Sequence, residues 1–474
     1  MKSLFLSLLM LLVALSTSAS ADDQSPTVKD PSLGASPSGP VTLVQLPIAA
    51  DASFSTDYDE QPNPASDAPE GRIEETASVA LSPQAPLTGP EELATTDQQT
   101  SSGANDFAFR LTQALAAESG NQNLVASPFS VWLPLAALTG EAQEPARTEM
   151  IALLAKNGLQ PGDLDQSASK IILNLTTLRR PNTDQDPLKI ANAVFVNSDL
   201  KLKADFAKKF FDFYHGEAKN IDFRSSNAAD LVNDWIAEQT EQKITSVVSK
   251  FDPNTVIALV NAIYLSNSWA KPFNPELTKK GVFKSPNGEV EAFLMEQQLE
   301  ARYYEDEQIQ ALPLILSGGE GLLVLLPKDG DVNCLLASLS DKKLSEIDQL
   351  STLRKGRLVL PRFKIESPTL DLEPSLTKLG VTLFDPQLAA LTGGLVEGDH
   401  PLFLSQALHK ALIEVDENGL TAAAATVMGI AVRSMLSDQQ PFEMLCDQPF
   451  VFVVYQKTSD NPRLVLFSGI VNQP

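Results

Sequence analysis

The sequence contains few of the residues from which catalytic and metal sites are usually built. Its 474 residues include two cysteines and three histidines, His215, His400 and His409. The HExxH, CxxC, GxSxG and phosphate-loop patterns are missing. A catalytic triad around His409 depends on partners in space, whereas the alternating segment LSQALHKALIEV predicts a core histidine on a strand. We therefore predict no metal, no cofactor and no enzymatic activity.

Cysteine and basic residues are both scarce. Two cysteines exclude a disulfide scaffold. A single bridge between Cys334 and Cys446 is compatible with secretion, but we predict two separate thiols because sequence does not give the geometry that a bridge requires. Lys and Arg number 36 against 60 Asp and Glu, for a formal charge of -24. With no basic run, this charge excludes a general nucleic-acid partner.

Only one long apolar run occurs, and it lies at the N-terminus. Lys2 is followed by LFLSLLMLLVAL and then by the small residues Ala19, Ser20 and Ala21. The run is too short to span a membrane, and this order is typical of a secretory signal. We predict a signal peptide over 1–21 and a secreted, extracellular protein that is not membrane-bound.

The segment 22–103 is acidic and rich in Pro, Ser and Thr. Between positions 22 and 101 it has fourteen acidic and two basic residues, so it carries -12 of the net charge. Such a composition buries too little apolar surface to offset the entropy of ordering, and we predict disorder. Tyr58 lies within STDYDEQP, which suggests either a sulfated tail that docks on a protease or a solvating spacer. Composition favours the spacer.

From residue 104 to 474 the periodicity changes to that of a folded domain. Helical spacing occurs in DFAFRLTQALAAE, NAADLVNDWIAEQTEQ and LDLEPSLTKLG, whereas LKIANAVFVN, TVIALVNAIYL, GLLVLLP, GRLVLPRFKIE, PFVFVVYQ and LVLFSGIV predict strands. Strands and helices mix without strict alternation, which predicts an α+β fold with mixed sheets and surrounding helices.

One segment has the composition of a strand but lies next to a charged turn. EVDENGLTAAAATVMGIAVRSM, positions 414–435, contains four consecutive alanines followed by Val427, Met428, Ile430 and Val432. A pleated sheet accepts these residues. An exposed segment of this kind is an aggregation liability unless function requires its exposure.

The chain from about Asn105 to Pro474 resembles a serpin. The resemblance is distributed over the domain in the order of the family, through NLVASPFSVW, LKIANAVFV, IDF with NDWIAEQTEQKI, TVIALVNAIYLSNSWAKPFNPELTKKGVF, VLPRFKIE, ALHKALIEVDENGLTAAAAT, PFVFVVY and LFSGIVNQP. The N-terminal tail and PFEMLCDQPF are most similar to secreted invertebrate immune serpins.

The resemblance implies an exposed reactive-centre loop over about 417–440 that inserts into the central sheet after cleavage. The spacing of the family puts the scissile bond at Arg433-Ser434, with Met435-Leu436 as the alternative because the following segment is long. Arginine there implies a trypsin-like serine protease, trapped as a covalent acyl complex by a monomeric inhibitor. A non-inhibitory carrier, chaperone or storage role is the alternative.

The resemblance also assigns particular residues. The hinge of the loop comprises Glu417, Gly419, Leu420, Thr421, Ala422, Ala423, Ala424 and Ala425. A polar cluster beneath the sheet comprises Ser127, Ser130, Asn261 and His409, and Trp269 lies where the loop enters. Leu420 replaces a smaller residue and is expected to slow insertion or to need a matching cavity. Separately, Asn174-Leu175-Thr176 is a candidate glycosylation sequon.

Overall fold

A computed structural model describes residues 95–156, 158–177, 188–391, 394–398, 400, 402–420, 440–456 and 463–474. The helices in this part of the chain are α1 (Thr95–Ser119), α2 (Pro128–Thr139), α3 (Ala146–Leu154), α4 (Pro161–Thr177), α5 (Ala204–Tyr214), α6 (Ala228–Gln239), α7 (Val332–Ser338), α8 (Asp341–Leu350) and α9 (Glu373–Lys378). The strands are β1 (Leu124–Ala126), β2 (Leu188–Asn197), β3 (Glu217–Ile221), β4 (Ile257–Leu265), β5 (Asn267–Ser268), β6 (Lys279–Ser285), β7 (Gly288–Glu305), β8 (Ile309–Ile315), β9 (Glu320–Pro327), β10 (Thr352–Pro361), β11 (Phe363–Glu366), β12 (Leu370–Asp371), β13 (Gln406–Val415), β14 (Gly419–Leu420), β15 (Phe442–Leu445), β16 (Phe450–Gln456) and β17 (Leu464–Val471). The mixture of helices with parallel and antiparallel strands confirms the α+β prediction.

The strands form two sheets. The first has the order β1-β17-β16-β9-β8-β7-β10-β15, with β6 paired to β7. The second, which we call the central sheet, has the order β3-β2-β4-β13-β14-β5, with β11 and β12 also paired to β13. Each segment predicted as a strand lies in one of these sheets, because its apolar residues are buried on both faces.

The main hydrophobic core lies on one face of the central sheet. It includes α2, every residue of which is buried, and the core-facing side chains of β13, such as Ile413 and Val415. A smaller cluster covers the opposite face, where Val232 and Ile236 of α6 pack near Val260 and Leu408 of the sheet. The central sheet is therefore enclosed on both faces, so any strand that enters it must present side chains acceptable to two apolar layers.

The folded region begins before the predicted boundary at residue 104. Helix α1 already starts at Thr95, and the Asp97 carboxylate on its first turn is buried, accepting hydrogen bonds from Ser167 Oγ at 2.7 Å and Lys170 Nζ at 3.2 Å. The prediction that 22–103 is disordered is therefore wrong for 95–103. The sequence 95–103 is polar, so its composition did not indicate a helix. Contacts of Asp97 with α4 stabilise this part of α1.

Candidate functional site

The two residues of β14 lie at one end of the central sheet, between β13 and β5. Leu420 faces Val415 on one side and Asn267 on the other, and Gly419 faces Ser268. Beyond β14, strand β13 pairs directly with β4 in parallel, from Gln406 to Leu412. β13 and β4 are thus adjacent over this length, and among the described residues that follow β13, Gly419 and Leu420 lie in the sheet.

Gly419 allows the chain to pass close to β5. Its φ is +155°, and a Cβ at this position would lie 2.2 Å from the Asn267 carbonyl oxygen and 2.6 Å from Ser268 Cα. Only glycine is compatible with this conformation and this approach. The preceding turn is fixed by Asp416, whose Oδ1 accepts hydrogen bonds from the backbone N–H groups of Asn418 at 2.7 Å and Gly419 at 3.1 Å.

Leu420 lies in the matching cavity that its size was expected to require. The side chain is 1% exposed and belongs to the main core together with its partner Val415. Complete burial of a leucine side chain contributes roughly 1.5–3 kcal/mol. At this position the larger residue therefore favours the docked hinge in the uncleaved chain.

Glu417 ties the turn to a neighbouring strand segment. Its side chain is 5% exposed and accepts hydrogen bonds from Arg362 Nε at 2.8 Å and Nη2 at 2.5 Å, and also from Thr278 Oγ1. Burial alone raises the pKa of a carboxyl group, but the bonds from Arg362 and Thr278 outweigh it and hold the pKa of Glu417 below its ordinary value. The carboxylate is therefore a charged, fully partnered anchor.

Trp269, the residue after β5, contacts the same turn. It is 4% exposed, its Nε1–H donates to the Asp416 carbonyl at 2.8 Å and its backbone N–H donates to the Asn418 carbonyl at 2.8 Å. The ring packs edge-on against Phe273, whose backbone N–H donates to the Glu417 carbonyl at 2.9 Å. The backbone carbonyls of Asp416, Glu417 and Asn418 therefore accept hydrogen bonds from Trp269 and Phe273.

The four predicted residues beneath the sheet form one hydrogen-bonded cluster. The Ser127 backbone N–H donates to His409 Nε2 at 3.0 Å, so this nitrogen is an acceptor and the ring proton lies on Nδ1. That Nδ1–H donates to Asn261 Oδ1 at 2.6 Å, which also accepts from Ser130 Oγ at 2.6 Å. Asn261 Nδ2 donates to the Ser130 carbonyl at 2.7 Å and to Asn192 Oδ1. The bond between His409 and Asn261 joins β13 directly to β4.

His409 is held in its neutral form. It is completely buried, and burial lowers its pKa to about 3. The geometry requires the same state, because a proton on Nε2 would face the Ser127 N–H. Protonation would therefore remove the hydrogen bond from Ser127 and leave a buried charge.

We predict that the intact protein loses stability in acid through His409. Because the folded pKa of about 3 lies below the unfolded value near 6.5, the stabilisation is complete above pH 6.5 and is lost as pH falls towards 3. One proton changes the free energy of unfolding by about 1.4 kcal/mol per pH unit, or about 2 kcal/mol between pH 6.5 and 5. Urea unfolding at both pH values measures this loss.

The matched variant for this prediction is His409→Gln. Burial also lowers the pKa of His215, so its contribution has the same sign and remains in both proteins. The loss between pH 6.5 and 5 should be about 2 kcal/mol smaller in His409→Gln than in the unmodified protein. Equal losses would show that His409 does not carry the pH dependence.

The chain is anchored again after position 439, on the first sheet. Phe442 stacks on Tyr303 with ring centroids 4.5 Å apart, and it crosses Gly356 so closely that a Cβ there would lie 2.3 Å from the Phe442 ring. The Arg354 guanidinium donates from Nη2 to the Gln440 carbonyl at 2.8 Å and lies 4.9 Å from the Tyr303 ring centroid. The residues that flank 421–439 are therefore both anchored, Leu420 in the central sheet and Gln440 by Arg354.

Several predicted residues lie outside the described part of the chain. These are the hinge residues Thr421, Ala422, Ala423, Ala424 and Ala425, the reactive bond Arg433-Ser434 and the alternative Met435-Leu436. Their assignments remain predictions. Asn174 lies on α4 and is half-buried, and its glycosylation also remains a prediction.

The remaining sequence expectations concern thiols, metals and membranes. Cys334 is exposed and Cys446 is buried, and both are free thiols, as predicted. Among the described residues, no cluster of His, Cys, Asp and Glu could hold a metal ion. No helix in that part of the chain is long and apolar enough to cross a membrane.

Sequence reasoning missed important members of the site. Asn192 is an amide in the middle of the apolar strand segment LKIANAVFVN, a position that indicates a buried polar contact. Arg362 and Thr278 partner Glu417 from positions 55 and 139 residues away in sequence. Nothing in their local sequence predicts that pairing, since it depends on how the strands are arranged.

Comparisons with known proteins agree on one family. The family model for Serpin (serine protease inhibitor) matches residues 102–474. Alpha-1-antiproteinase of Rattus norvegicus is 32% identical over 391 residues, which cover 82% of this chain and 92% of that protein. A serpin-like protein of Thermococcus kodakarensis is 30% identical over 375 residues, which cover 78% of this chain and 84% of that protein.

Solved structures give the same result. Serpin48, a highly specific serpin in the insect Tenebrio molitor, matches with a TM-score of 0.69 and 27% identity, over 80% of this chain and 100% of that chain. Human thyroxine-binding globulin, solved in complex with thyroxine, matches with the same TM-score, identity and coverage.

Proposed function

Because the chain belongs to the serpin family of serine protease inhibitors, we propose that it is a secreted suicide inhibitor of a trypsin-like protease, cleaved at Arg433-Ser434. The observation that carries the proposal is the hinge. Gly419 and Leu420 already pair with β13 and β5 at the end of the central sheet. The residues from Thr421 to Val432 are uncharged, as a strand entering between two apolar layers requires, and those from Thr421 to Thr426 are small.

The chemical step belongs to the protease. Its serine Oγ attacks the Arg433 carbonyl carbon, the peptide bond to Ser434 breaks, and the released amine of Ser434 takes the proton. The arginine side chain provides the guanidinium that an aspartate in a trypsin-like specificity pocket pairs with. If the cleaved loop enters the sheet before water hydrolyses the ester, the protease remains attached.

The pairing of β14 predicts the register of the inserted strand. Val415 pairs with Leu420 in antiparallel, so each earlier residue of β13 would pair with the next residue of the loop. Asn267 also lies opposite Leu420, so the same counting applies along β5 and β4. Extended to the first residue of β4, Ile257, this register reaches Ile430 and leaves Arg433 beyond the end of the strand.

The register brings Thr426 between His409 and Asn261. His409 lies six residues before Val415, Asn261 lies six before Asn267, and Thr426 lies six after Leu420. In the inserted strand all three side chains would face the main core, since strand side chains alternate with a period of two. Insertion separates the Nδ1–H of His409 from its acceptor on Asn261, and a threonine hydroxyl can accept from the first and donate to the second.

In the inserted strand, Ala422 and Ala424 would lie on the same face as Thr426, nearer to the hinge. Counted from the pair Val415 and Leu420, Ala422 would face Ile413 and Ala424 would face Ala411, which are both buried in the main core. Small residues let the strand enter without displacing these side chains. The alanine run is thus suited to the core that would receive it.

We predict that Thr426→Val destabilises only the cleaved, inserted form. Valine has the same shape but no hydroxyl, so it leaves the buried His409 Nδ1–H unpaired, at a cost of about 1–3 kcal/mol, while Asn261 Oδ1 keeps its hydrogen bond from Ser130. Calorimetry should give an unchanged Tm for the intact variant and a Tm several degrees lower for the cleaved variant. Thr426→Ser keeps the hydroxyl and should behave like the unmodified protein; equal cleaved-form Tm values for Thr426→Val and the unmodified protein would contradict the register.

The sequence supports the rest of the proposal. A signal peptide over 1–21 would export the protein, 22–94 would form an acidic, disordered spacer, and Asn174 would carry a glycan in a eukaryotic host. The inhibitor would act as a monomer without cofactor or metal.

A carrier function is the second candidate, and the likeness to thyroxine-binding globulin favours it. A titration of trypsin with the purified protein distinguishes the two functions. The inhibitor proposal predicts that trypsin activity falls linearly to zero near equimolar ratio and does not recover. A carrier would leave trypsin active while its loop is cut.

A further inference from the structure

The turn before β14 contains an Asn-Gly pair whose reactive groups contact one carboxylate. The sequence has Asn-Gly at positions 157–158, 287–288 and 418–419. In such a pair the glycine nitrogen can attack the asparagine side chain, because glycine has no side chain to block the approach. The Gly419 N–H donates to Asp416 Oδ1 at 3.1 Å, and Asn418 Nδ2 donates to Asp416 Oδ2 at 3.5 Å. The nucleophile and the leaving group therefore contact the two oxygens of the same carboxylate.

A second contact favours loss of the proton from the Gly419 nitrogen. The Trp269 backbone N–H donates to the Asn418 carbonyl at 2.8 Å. This carbonyl belongs to the amide whose nitrogen reacts, so the hydrogen bond stabilises the negative charge that builds on the amide as it loses its proton. The side chain of Asn418 is exposed, so ammonia can leave and water can enter.

We propose that this turn catalyses the deamidation of Asn418, with Asp416 as general base and then general acid. Asp416 takes the N–H proton of Gly419 as that nitrogen attacks Asn418 Cγ. The Cγ–Nδ2 bond breaks, and Asp416 returns the proton to Nδ2, which leaves as ammonia. The product is a cyclic succinimide. Water then opens the ring at Cγ to give aspartate, or at the backbone carbonyl to give isoaspartate, in which the main chain runs through the side chain.

Deamidation changes both the charge and the path of the turn. Either product adds a negative charge between Asp416 and Glu417. Isoaspartate also adds a methylene group to the main chain directly before Gly419, which fits against the Asn267 carbonyl with no space for a Cβ. The unmodified form of the protein therefore has a lifetime that its own turn sets. Both consequences hold whether or not the protein inhibits a protease.

The hairpin between β6 and β7 provides a control within the same chain. Asn287 and Gly288 are both exposed, and the Asn287 N–H donates to Ser285 Oγ at 3.3 Å. Among the described residues, no carboxylate accepts a hydrogen bond from either member of this pair. The rate at Asn287 therefore reports deamidation of a folded, solvated Asn-Gly pair without a general base.

Peptide mapping by mass spectrometry measures both sites in one sample of the full-length protein during incubation at neutral pH. In the folded protein, Asn418 should deamidate at least about 10-fold faster than Asn287, because the turn holds the reacting groups against their base. In guanidinium chloride the unfolded chain loses this arrangement, and the two rates should become similar. A rate at Asn418 that is lower in the folded than in the unfolded protein would overturn the proposal.

The variant Asp416→Asn tests the base itself. It keeps a side-chain oxygen that accepts the N–H groups of Asn418 and Gly419, but an amide does not take the proton. Deamidation of Asn418 should slow by about 100-fold, the lower end of what a positioned general acid–base group contributes, while the rate at Asn287 stays the same. An unchanged rate at Asn418 in the folded variant would overturn the role of Asp416. If the variant did not fold, the comparison of the folded and unfolded forms of the unmodified protein would still decide.

Discussion

Arg433→Glu should abolish the inhibition of trypsin. The substitution removes the guanidinium that the specificity pocket binds and brings a carboxylate against the aspartate of that pocket. Loss of one partner of a buried charge pair costs roughly 2–5 kcal/mol, so the association rate constant should fall by at least about 30-fold. Progress curves of trypsin activity at several inhibitor concentrations give this constant.

Two further variants make the result specific to the assigned bond. Arg433→Lys keeps a positive charge and should retain inhibition, with a smaller rate constant because lysine lacks the bidentate fork. Met435→Glu changes the alternative bond at Met435-Leu436 and should leave the trypsin rate constant within a few fold. If Met435→Glu abolished inhibition and Arg433→Glu did not, the reactive bond would lie at the alternative position.

Cleavage within 421–439 should strongly stabilise the protein. Insertion would pair residues 421–430 on both sides and separate β13 from β4, for a net gain on the order of ten ladder hydrogen bonds at about 1 kcal/mol each. In a domain of this length, each kcal/mol added to the free energy of unfolding raises the Tm by about 1–2 °C, so the Tm should rise by about 10–20 °C. Calorimetry before and after limited thermolysin digestion, with the cut mapped by mass spectrometry, measures the rise.

The control for this experiment is a loop that cannot insert. Ala424→Arg puts a charge where the register faces Ala411 in the main core, and burying an unpaired guanidinium prevents pairing beyond that point. The cleaved Ala424→Arg protein should therefore gain little, although its intact Tm is unchanged. A cleaved unmodified protein with no gain in Tm would favour the non-inhibitory alternative.

Strands buried on both faces could be predicted from the sequence because their apolar runs are continuous. LKIANAVFVN and PFVFVVYQ became β2 and β16 for this reason. The long strand β7 could not, because GEVEAFLMEQQLEARYYE is rich in good helix formers. Its structure is set by pairing with β6 and β10, which is tertiary information that outweighs local propensity.

In the candidate site, too, some residues could be predicted from the sequence and others could not. The resemblance identified His409 and Asn261 as members of one cluster, and their positions on β13 and β4 bring them together. It gave no partner for Glu417, because Arg362 reaches it from the end of β10. It also predicted that Leu420 either slows insertion or needs a matching cavity, and the structure buries that side chain in the main core. A cavity is formed by many distant residues, so the local motif did not decide between the two.

The most direct test of the inhibitory mechanism is to mix the unmodified protein with trypsin and separate the products on a denaturing gel. The mechanism predicts a complex that survives denaturation, with the mass of trypsin plus the cleaved protein, and a C-terminal fragment whose first residue is Ser434. Complete cleavage at that bond without a stable complex, with trypsin still fully active, would contradict inhibition by loop insertion.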